Sequence, residues 1–172
     1  ATLSVEEPLT FLGIDIHMKR NGDLMLLQEK FVDSLLKKYS MVDCNAVKCI
    51  TMPLLPTELD EPSIPVLRKL QGYSGEFNWL ATRTRPDISY YTSLLASACS
   101  KQTQWSLDLA QKILRYLQGI KAKGICISCS GNEQDLVVYT DAGFVGTDTH
   151  SQSGIIIMWG GSIIVWRSCK QT

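Results

Sequence analysis

The residues best suited to chemistry are two carboxylates in the C-terminal third of the sequence. Asp141 directly follows the apolar run 136–140, and Asp148 comes seven residues later. Two further apolar runs follow at 155–159 and 163–166, separated by a glycine pair. A carboxylate at a strand end is either a candidate catalytic group or a structural acceptor of turn hydrogen bonds. The residues alone leave both interpretations open.

Basic side chains are concentrated in the middle of a neutral chain. Between residues 68 and 124, nine Lys and Arg residues stand against three acidic ones, a net charge of +6, whereas the formal net charge of the whole chain is zero. Such a segment can bind a phosphate backbone. It can equally place solvated side chains on exposed helix faces.

Composition indicates a globular chain and excludes some other classes. The chain has 172 residues, of which 45% are hydrophobic and 20% charged. No apolar run approaches the ~20 residues that a membrane span needs, and the acidic N-terminal stretch does not resemble a signal peptide. We therefore expect an intracellular protein, cytoplasmic or nuclear, and the missing initiator Met suggests a fragment or a processed product.

Six cysteines could supply metal ligands or thiols. Two of them form a C-x-x-C at Cys126 and Cys129, and Cys44 and Cys49 make a looser pair. Zinc sites need four ligands at compact spacing, usually on turns, whereas the C-x-x-C lies in a predicted strand. We expect free, buried thiols, with metal or redox roles as the alternative.

The N-terminal end of the chain is predicted to form a hairpin within 11–28. Apolar residues at the even positions 12–18 alternate with Asp15 and His17, as in a half-buried strand that turns these two side chains toward solvent. Asn21–Gly22 is the pair preferred in a type I′ turn.

An amphipathic helix is predicted at 29–41. Four prolines then fall within 43–65, and this density predicts an extended connection, which we interpret as the main linker.

Three helices and four strands are predicted for the rest of the chain. The first helix runs from 66 to about 81, the second begins at Pro86, and the third has Thr103 as its N-cap and ends at Gly119 or Gly124. The predicted strands cover 125–129, 136–140, 155–159 and 163–166.

Seven collinear segments resemble the Pol polyprotein of copia-type long-terminal-repeat retrotransposons. The most similar is W-L-A-T-R-T-R-P-D-I-S-Y at 79–90, which resembles the family's Y-L-A-x-x-T-R-P-D-I-x-Y. Tyr73 belongs to this same segment. The other six segments are 11–14; Gln28 with Phe31 and 35–36; 51–53; Trp105 with 113–119; 139–142; and 166–171. The sequence departs from the family pattern at Gly143, Phe144 and Cys169.

The resemblance implies the C-terminal part of a reverse transcriptase followed by the N-terminal part of a ribonuclease H domain. It implies an α+β fold in four segments: the end of the palm hairpin and a helix (1–42), a Pro-rich linker (43–65), a helical block like a thumb or connection (66–124), and an incomplete ribonuclease H-like antiparallel sheet (125–172).

The implied chemistry uses two Mg²⁺ ions held by several carboxylates on different elements, because one carboxylate cannot hold both ions. By resemblance Asp141 is the first of these carboxylates, and Asp148 at best assists. The next one, a Glu on a following helix, is expected beyond Thr172, and the Y-x-D-D motif of the polymerase is expected before residue 11. We therefore expect neither polymerisation, nor unaided nuclease activity, nor tight Mg²⁺ binding.

In the parent enzyme the helical block would contact the phosphates of a template–primer or RNA–DNA hybrid. The implied contacts are Arg83, Arg85, Lys112 and Arg115. Arg85 has a competing structural role, since it could pair with Asp87 or cap a helix end.

Three functions follow as expectations. The first is a polyprotein fragment with weak, salt-sensitive binding to RNA–DNA hybrids. The second is a transposon remnant recruited as a structural subunit, in which another chain covers the sheet edges. The third is an active metal nuclease completed by a second chain that supplies the missing helix-bearing segment. The expected partners are therefore the missing polymerase and ribonuclease H segments, or another chain that covers the sheet edges.

Overall fold

The computed structural model describes residues 4–5, 7–54, 59–129, 135–143 and 151–171. Within them are four α-helices and two antiparallel sheets, which confirms the predicted α+β class. Contacts divide the chain into two units that are not consecutive in sequence. Unit 1 contains 1–29, 82–86 and 122–172, and unit 2 contains 30–81 and 87–121. The four consecutive segments with boundaries at 42, 65 and 124 stay a prediction.

The first sheet of unit 1 has four strands in the order β1-β2-β3-β4. They are β1 (Leu9–Phe11), β2 (Ile14–Met18), β3 (Leu24–Leu27) and β4 (Ile125–Ile127). The hairpin of β2 and β3 confirms the predicted pairing, but the predicted type I′ turn is wrong. A type I′ turn needs a positive φ at both central residues, but of Asn21 and Gly22 only Gly22 has one. The amide of Lys19 donates to the carbonyl of Asp23, so the loop has three residues.

One strand-face prediction also fails. His17 is exposed as expected, but Asp15 is only 7% exposed and accepts a hydrogen bond from the hydroxyl of Thr10. Strand β1, which alternation did not reveal, supplies that hydroxyl. The hydrogen bond from β1 thus allows the carboxylate of Asp15 to be buried, although the alternation pattern had placed it on the solvent face.

Strand β4 belongs to the first sheet, although the sequence placed it in the C-terminal domain. It pairs antiparallel with β3, with Met25 opposite Cys126. Gly124 permits this approach, because a Cβ at that position would lie 2.0 Å from the carbonyl oxygen of Leu26. A short strand carries no sequence signal for the sheet it joins, and the close backbone approach is a tertiary feature.

Unit 2 is a helical body with a hydrophobic core. Its helices are α1 (Glu29–Lys38), α2 (Ile64–Arg83), α3 (Ser89–Ala98) and α4 (Thr103–Gly119), of which the first residue of α1 and the last two of α2 belong to unit 1. A short 3₁₀ turn at Pro86–Ile88 precedes α3, close to the predicted start. The largest fully buried apolar side chains include Leu35, Phe77, Leu80, Leu109 and Leu117.

The described part of the Pro-rich segment packs on these helices. Ile50 is buried, and its carbonyl accepts a hydrogen bond from the hydroxyl of Tyr91 at 3.1 Å. The indole Nε1 of Trp105 donates to the carbonyl of Pro53 at 3.3 Å. The proline-rich segment forms no helix or strand, so its carbonyl groups need other hydrogen-bond donors, and these two side chains supply them.

Helix α4 is capped differently from the prediction. Thr103 is the first residue of the helix, not its N-cap, and Gln102 makes no side-chain capping bond. The carboxylate of Asp60 instead accepts from the amide of Thr103 at 2.8 Å. The cap therefore comes from a distant segment, which no local motif announces.

The second sheet of unit 1 contains β5 (Leu136–Gly143), β6 (Gln152–Trp159) and β7 (Ser162–Lys170), in that order. All neighbours are antiparallel, and one irregularity falls at Ile157/Met158 in the pairing of β6 with β7. The three predicted strands are present and longer than predicted. Across the described stretches, none of the helices has the length and apolar character to span a bilayer.

Candidate functional site

Asp141 lies exposed near the C-terminal end of β5. It pairs with Gly154 of β6, and Gly154 pairs in turn with Ser168 of β7. Directly paired residues of an antiparallel sheet share one face, so the carboxylate and the hydroxyl stand on either side of a residue without a side chain.

The next cross-strand row on this face is polar as well. It contains Gly143, Gln152 and Lys170. Gln152 is 9% exposed and donates its Nε2–H to the Oγ of Ser168 at 2.9 Å. We call these two rows the polar end of the sheet; its members are Asp141, Gly143, Gln152, Gly154, Ser168 and Lys170.

The rest of the same face is apolar. The adjacent row contains Tyr139, Ile156 and Trp166, and beyond it come Val137, Met158 and Ile163. The opposite face is apolar in part, at Leu136, Val138, Ile155, Ile157, Trp159 and Val165, and it also carries polar residues, at Thr140, Ser153, Ser162 and Arg167. Apolar parts of a sheet are normally covered, yet Val138 is 52% exposed and Tyr139 58%.

The described residues do not form a complete metal site. Among the parts of the chain that the structure describes, no group of three or more His, Cys, Asp or Glu side chains is placed to hold a metal ion. Asp148, the predicted assisting carboxylate, lies outside the described residues. Asp141 alone does not fit a pair of Mg²⁺ ions, which require several bridging oxygens, so we derive no chemical step through them.

The four predicted phosphate contacts differ in exposure. Arg83 is exposed and Lys112 and Arg115 are half-buried, whereas Arg85 is 1% exposed. The Nε of Arg115 donates to the carbonyl of Asn45 at 2.7 Å. A guanidinium buried as deeply as that of Arg85 is not presented to a ligand in solution, so Arg83, Lys112 and Arg115 remain as candidate phosphate contacts. The burial of Arg85 favours its alternative role, which is to stabilise the fold.

The expectation of buried thiols is wrong. All six cysteines are free, but Cys49, Cys126 and Cys129 are exposed and the other three are half-buried. Cys126 lies on a three-residue edge strand, where the ammonium of Lys19 comes within 3.6 Å of its sulfur. Its side chain lies on the face opposite the buried Ile125, which turns it to solvent.

Sequence reasoning missed most of the polar end. It singled out Asp141 but gave no role to Gln152, Gly154, Ser168 or Lys170. The available signal was a glycine inside an apolar strand pattern, which often marks close approach by another group. Which residue that glycine opposes depends on the strand register, and only the structure supplies it.

Comparison with known proteins gives relatives in sequence but no structural match. No protein-family model matches the chain, and no solved structure matches it significantly. The chain is 32% identical to the "Putative transposon Ty5-1 protein" of Saccharomyces cerevisiae over 93% of its length. It is 33% identical to the retrovirus-related Pol polyprotein from transposon RE1 of Arabidopsis thaliana over 96% of its length.

A third relative is the retrovirus-related Pol polyprotein from transposon TNT 1-94 of Nicotiana tabacum, which is 25% identical over 93% of this chain. The chain spans 53% of the Ty5-1 protein, 11% of the RE1 polyprotein and 13% of the TNT 1-94 polyprotein. It thus corresponds to one segment of much longer proteins. The chain is a homologue of the Pol polyproteins of Ty/copia-type retrotransposons.

Proposed function

We propose that the chain is the part of a retrotransposon polyprotein that joins reverse transcriptase to ribonuclease H, and that it binds the backbone of an RNA–DNA hybrid. The observation that carries this proposal is the exposed Asp141 at the polar end of the second sheet, in a homologue of Pol polyproteins. An intracellular setting, cytoplasmic or nuclear, is part of the proposal.

Binding depends on basic side chains that make contacts without reading sequence. Arg83 is exposed, and Lys112 and Arg115 are half-buried on α4. Lys and Arg that neutralise phosphates release counterions, so affinity falls as salt rises. Because these side chains are few and only partly exposed, we expect weak binding.

The test is a fluorescence-anisotropy titration of an RNA–DNA hybrid at several salt concentrations. We expect a linear fall of log affinity with log salt, and a shallower slope for the double variant Arg83→Gln/Lys112→Gln. The double variant Lys37→Gln/Lys48→Gln is the matched control, since both lysines are exposed but lie outside the basic segment. An affinity that does not change with salt, or an equal effect of the control variant, would overturn the proposal.

Cleavage is a separate part of the proposal. We expect the chain alone to leave the hybrid intact in Mg²⁺, because no group of three or more His, Cys, Asp or Glu side chains among the described residues is placed to hold a metal ion. If the remaining polyprotein segments supply further carboxylates in trans, cleavage should appear and Asp141→Asn should abolish it. Cleavage that survives Asp141→Asn would exclude Asp141 as a ligand of the nuclease site.

A second candidate function is that of an interaction subunit, and the exposed apolar residues of the second sheet favour it. All eight residues of β5 are exposed, and Leu136, Val138 and Tyr139 are each more than half exposed. A long apolar edge strand is a template for pairing with another chain. Analytical ultracentrifugation tests this: we expect self-association without a partner, and a monodisperse folded monomer would contradict it.

A further inference from the structure

Three side chains with soft donor atoms occupy one cross-strand row of the first sheet. His17 of β2 pairs with Met25 of β3, and Met25 pairs in turn with Cys126 of β4. Directly paired residues of an antiparallel sheet lie on the same face, with Cβ atoms about 5 Å apart. An imidazole, a thioether and a thiol therefore stand side by side, although Cys126 is far from the other two in sequence.

The row is open to solvent, and a cation can reach it. His17 and Cys126 are exposed, and Met25 is half-buried. The ammonium of Lys19, which directly follows β2, lies 3.6 Å from the sulfur of Cys126. Because β3 separates β2 from β4, this side chain reaches across the middle strand of the row. A positive charge thus already lies beside the sulfur.

The donor atoms of the row favour one class of ion. Thiolate and thioether sulfurs select Cu(I), and imidazole also binds copper. Structural zinc sites instead need four Cys, His or carboxylate ligands, and the stretches that the structure describes bring no three such side chains together around an ion. A single thiolate also neutralises the charge of a monovalent ion.

We propose that His17, Met25 and Cys126 form a Cu(I) site on this face of the first sheet. The ion lies over Met25, and the imidazole and the thiol turn toward it from the two neighbouring strands. Binding replaces the proton of the thiol, which passes to solvent. The bound ion joins β4 to the N-terminal hairpin, and the site is independent of the proposed hybrid binding.

The proposal uses only one cysteine of the C-x-x-C motif. Cys129 lies beyond the end of β4, where its amide donates to the carboxylate of Asp23. Its Cβ lies 3.5 Å from the position that a Cβ on Gly22 would take, so it is beside the hairpin loop. The strand register therefore gives Cys126 different neighbours from Cys129, and the two cysteines can be tested separately.

The test is an anaerobic titration of the whole chain with Cu(I), in competition with a chromophoric Cu(I) chelator. Cys126→Ser, Met25→Leu and His17→Gln each remove one proposed ligand. Cys129→Ser and Cys49→Ser are the matched controls, because both cysteines are exposed but lie outside the row. Thermal unfolding would confirm that each variant is folded.

We expect each ligand variant to weaken Cu(I) binding by roughly tenfold or more, since even a partner outside the ligand set contributes about 10–100-fold to metal affinity. Cys129→Ser and Cys49→Ser should leave the affinity unchanged. If Cys49→Ser weakens binding as much as Cys126→Ser, or if folded Met25→Leu and His17→Gln bind as tightly as the unmodified chain, binding is adventitious and the proposal is wrong. A requirement for Cys129 in place of Met25 would assign the ion to the C-x-x-C motif and overturn the proposal, as would the absence of Cu(I) binding.

Discussion

At the scale of single residues, Asp23 shows how one carboxylate joins two segments of the chain. Its Oδ2 accepts from the Nδ2 of Asn21 at 2.8 Å, and its Oδ1 accepts from the backbone amide of Cys129 at 3.2 Å. The side-chain bond from Asn21 is the main cause that holds the pKa of Asp23 below its ordinary value, followed by the amide of Cys129. Asp23 thereby ties the hairpin loop to the end of β4.

This carboxylate predicts an acid-sensitive contribution to stability. A pKa that is lower in the folded chain than in the unfolded chain stabilises the fold above the unfolded value of about 3.9, and the contribution is lost as pH falls through the folded value. We expect Asp23→Asn to lower the melting temperature at pH 7, and the difference from the unmodified chain to shrink toward pH 3. Thermal unfolding followed by circular dichroism between pH 3 and 7 measures this.

The exposed Asp43 provides the control for this prediction. Asp43→Asn should leave the melting temperature nearly unchanged across the same pH range. A difference between Asp23→Asn and the unmodified chain that stays constant down to pH 3 would show that the ionised carboxylate is not the stabilising group.

Residue roles were predictable from sequence only where the signal was local. The strand that ends near Asp141 was visible because an apolar run precedes it. The burial of Arg85 and of Asp15 was not, because burial depends on how elements pack; for Asp15 it is β1, a strand without a sequence signal, whose Thr10 donates to the carboxylate. The polar end was hidden for a different reason, since the pairing of Gly154 with Asp141 requires a strand register that composition does not encode.

At the scale of elements, the two glycines of α2 make it weaker than its length suggests. Among the described residues, a Cβ on Gly75 would meet nothing within 4 Å, and one on Gly72 would lie 3.5 Å from the hydroxyl of Tyr39, an ordinary contact. Replacing either glycine by alanine should therefore raise the free energy of unfolding by up to about 1 kcal/mol. Urea denaturation of Gly75→Ala and Gly72→Ala tests this.

Gly124→Ala is the opposing control, because its Cβ would lie 2.0 Å from the carbonyl of Leu26 and should push β3 and β4 apart. We expect that variant to be clearly less stable. A loss of stability in Gly75→Ala would contradict the prediction.

The start of α4 supports a second prediction at this scale. The carboxylate of Asp60 accepts from the amide of Thr103, so it fills the role of an N-cap from outside the helix. Asp60→Ala should lower the free energy of unfolding by about 1 kcal/mol, as for a lost cap. Glu61→Ala, an exposed neighbour, should change it by less than roughly 0.5 kcal/mol. Equal effects in urea denaturation would contradict the capping role.

Helices and long strands were predictable, and their assembly was less so. Periodicity located α1 to α4 and the three strands of the second sheet to within a few residues. It assigned β4 to the wrong sheet and missed β1, because three-residue strands carry no period. The Pro-rich segment looked like a linker since proline excludes regular structure, but its carbonyls are bonded by side chains of α3 and α4.

At the scale of the whole molecule, apolar side chains are buried in the helical unit but exposed in the second sheet. The helical unit buries its apolar side chains in one cluster. In the second sheet, by contrast, large apolar residues on both faces stay open to solvent; they include Leu136, Val138, Tyr139, Trp159 and Val165. Monomeric proteins rarely leave contiguous apolar areas of this kind exposed, so this sheet should govern how the chain behaves in solution.

The last prediction follows from that sheet. Val138 is 52% exposed near the middle of β5, which is one of the two edge strands of the sheet. A lysine on an edge strand blocks pairing with another strand, because its charge would have to be buried. We therefore expect Val138→Lys to reduce self-association in sedimentation velocity while the free energy of unfolding changes by less than roughly 0.5 kcal/mol. Val42→Lys is the control, since Val42 is 41% exposed but lies after α1, outside the sheet. An equal reduction in both variants would mean that added charge, and not the edge of β5, controls association.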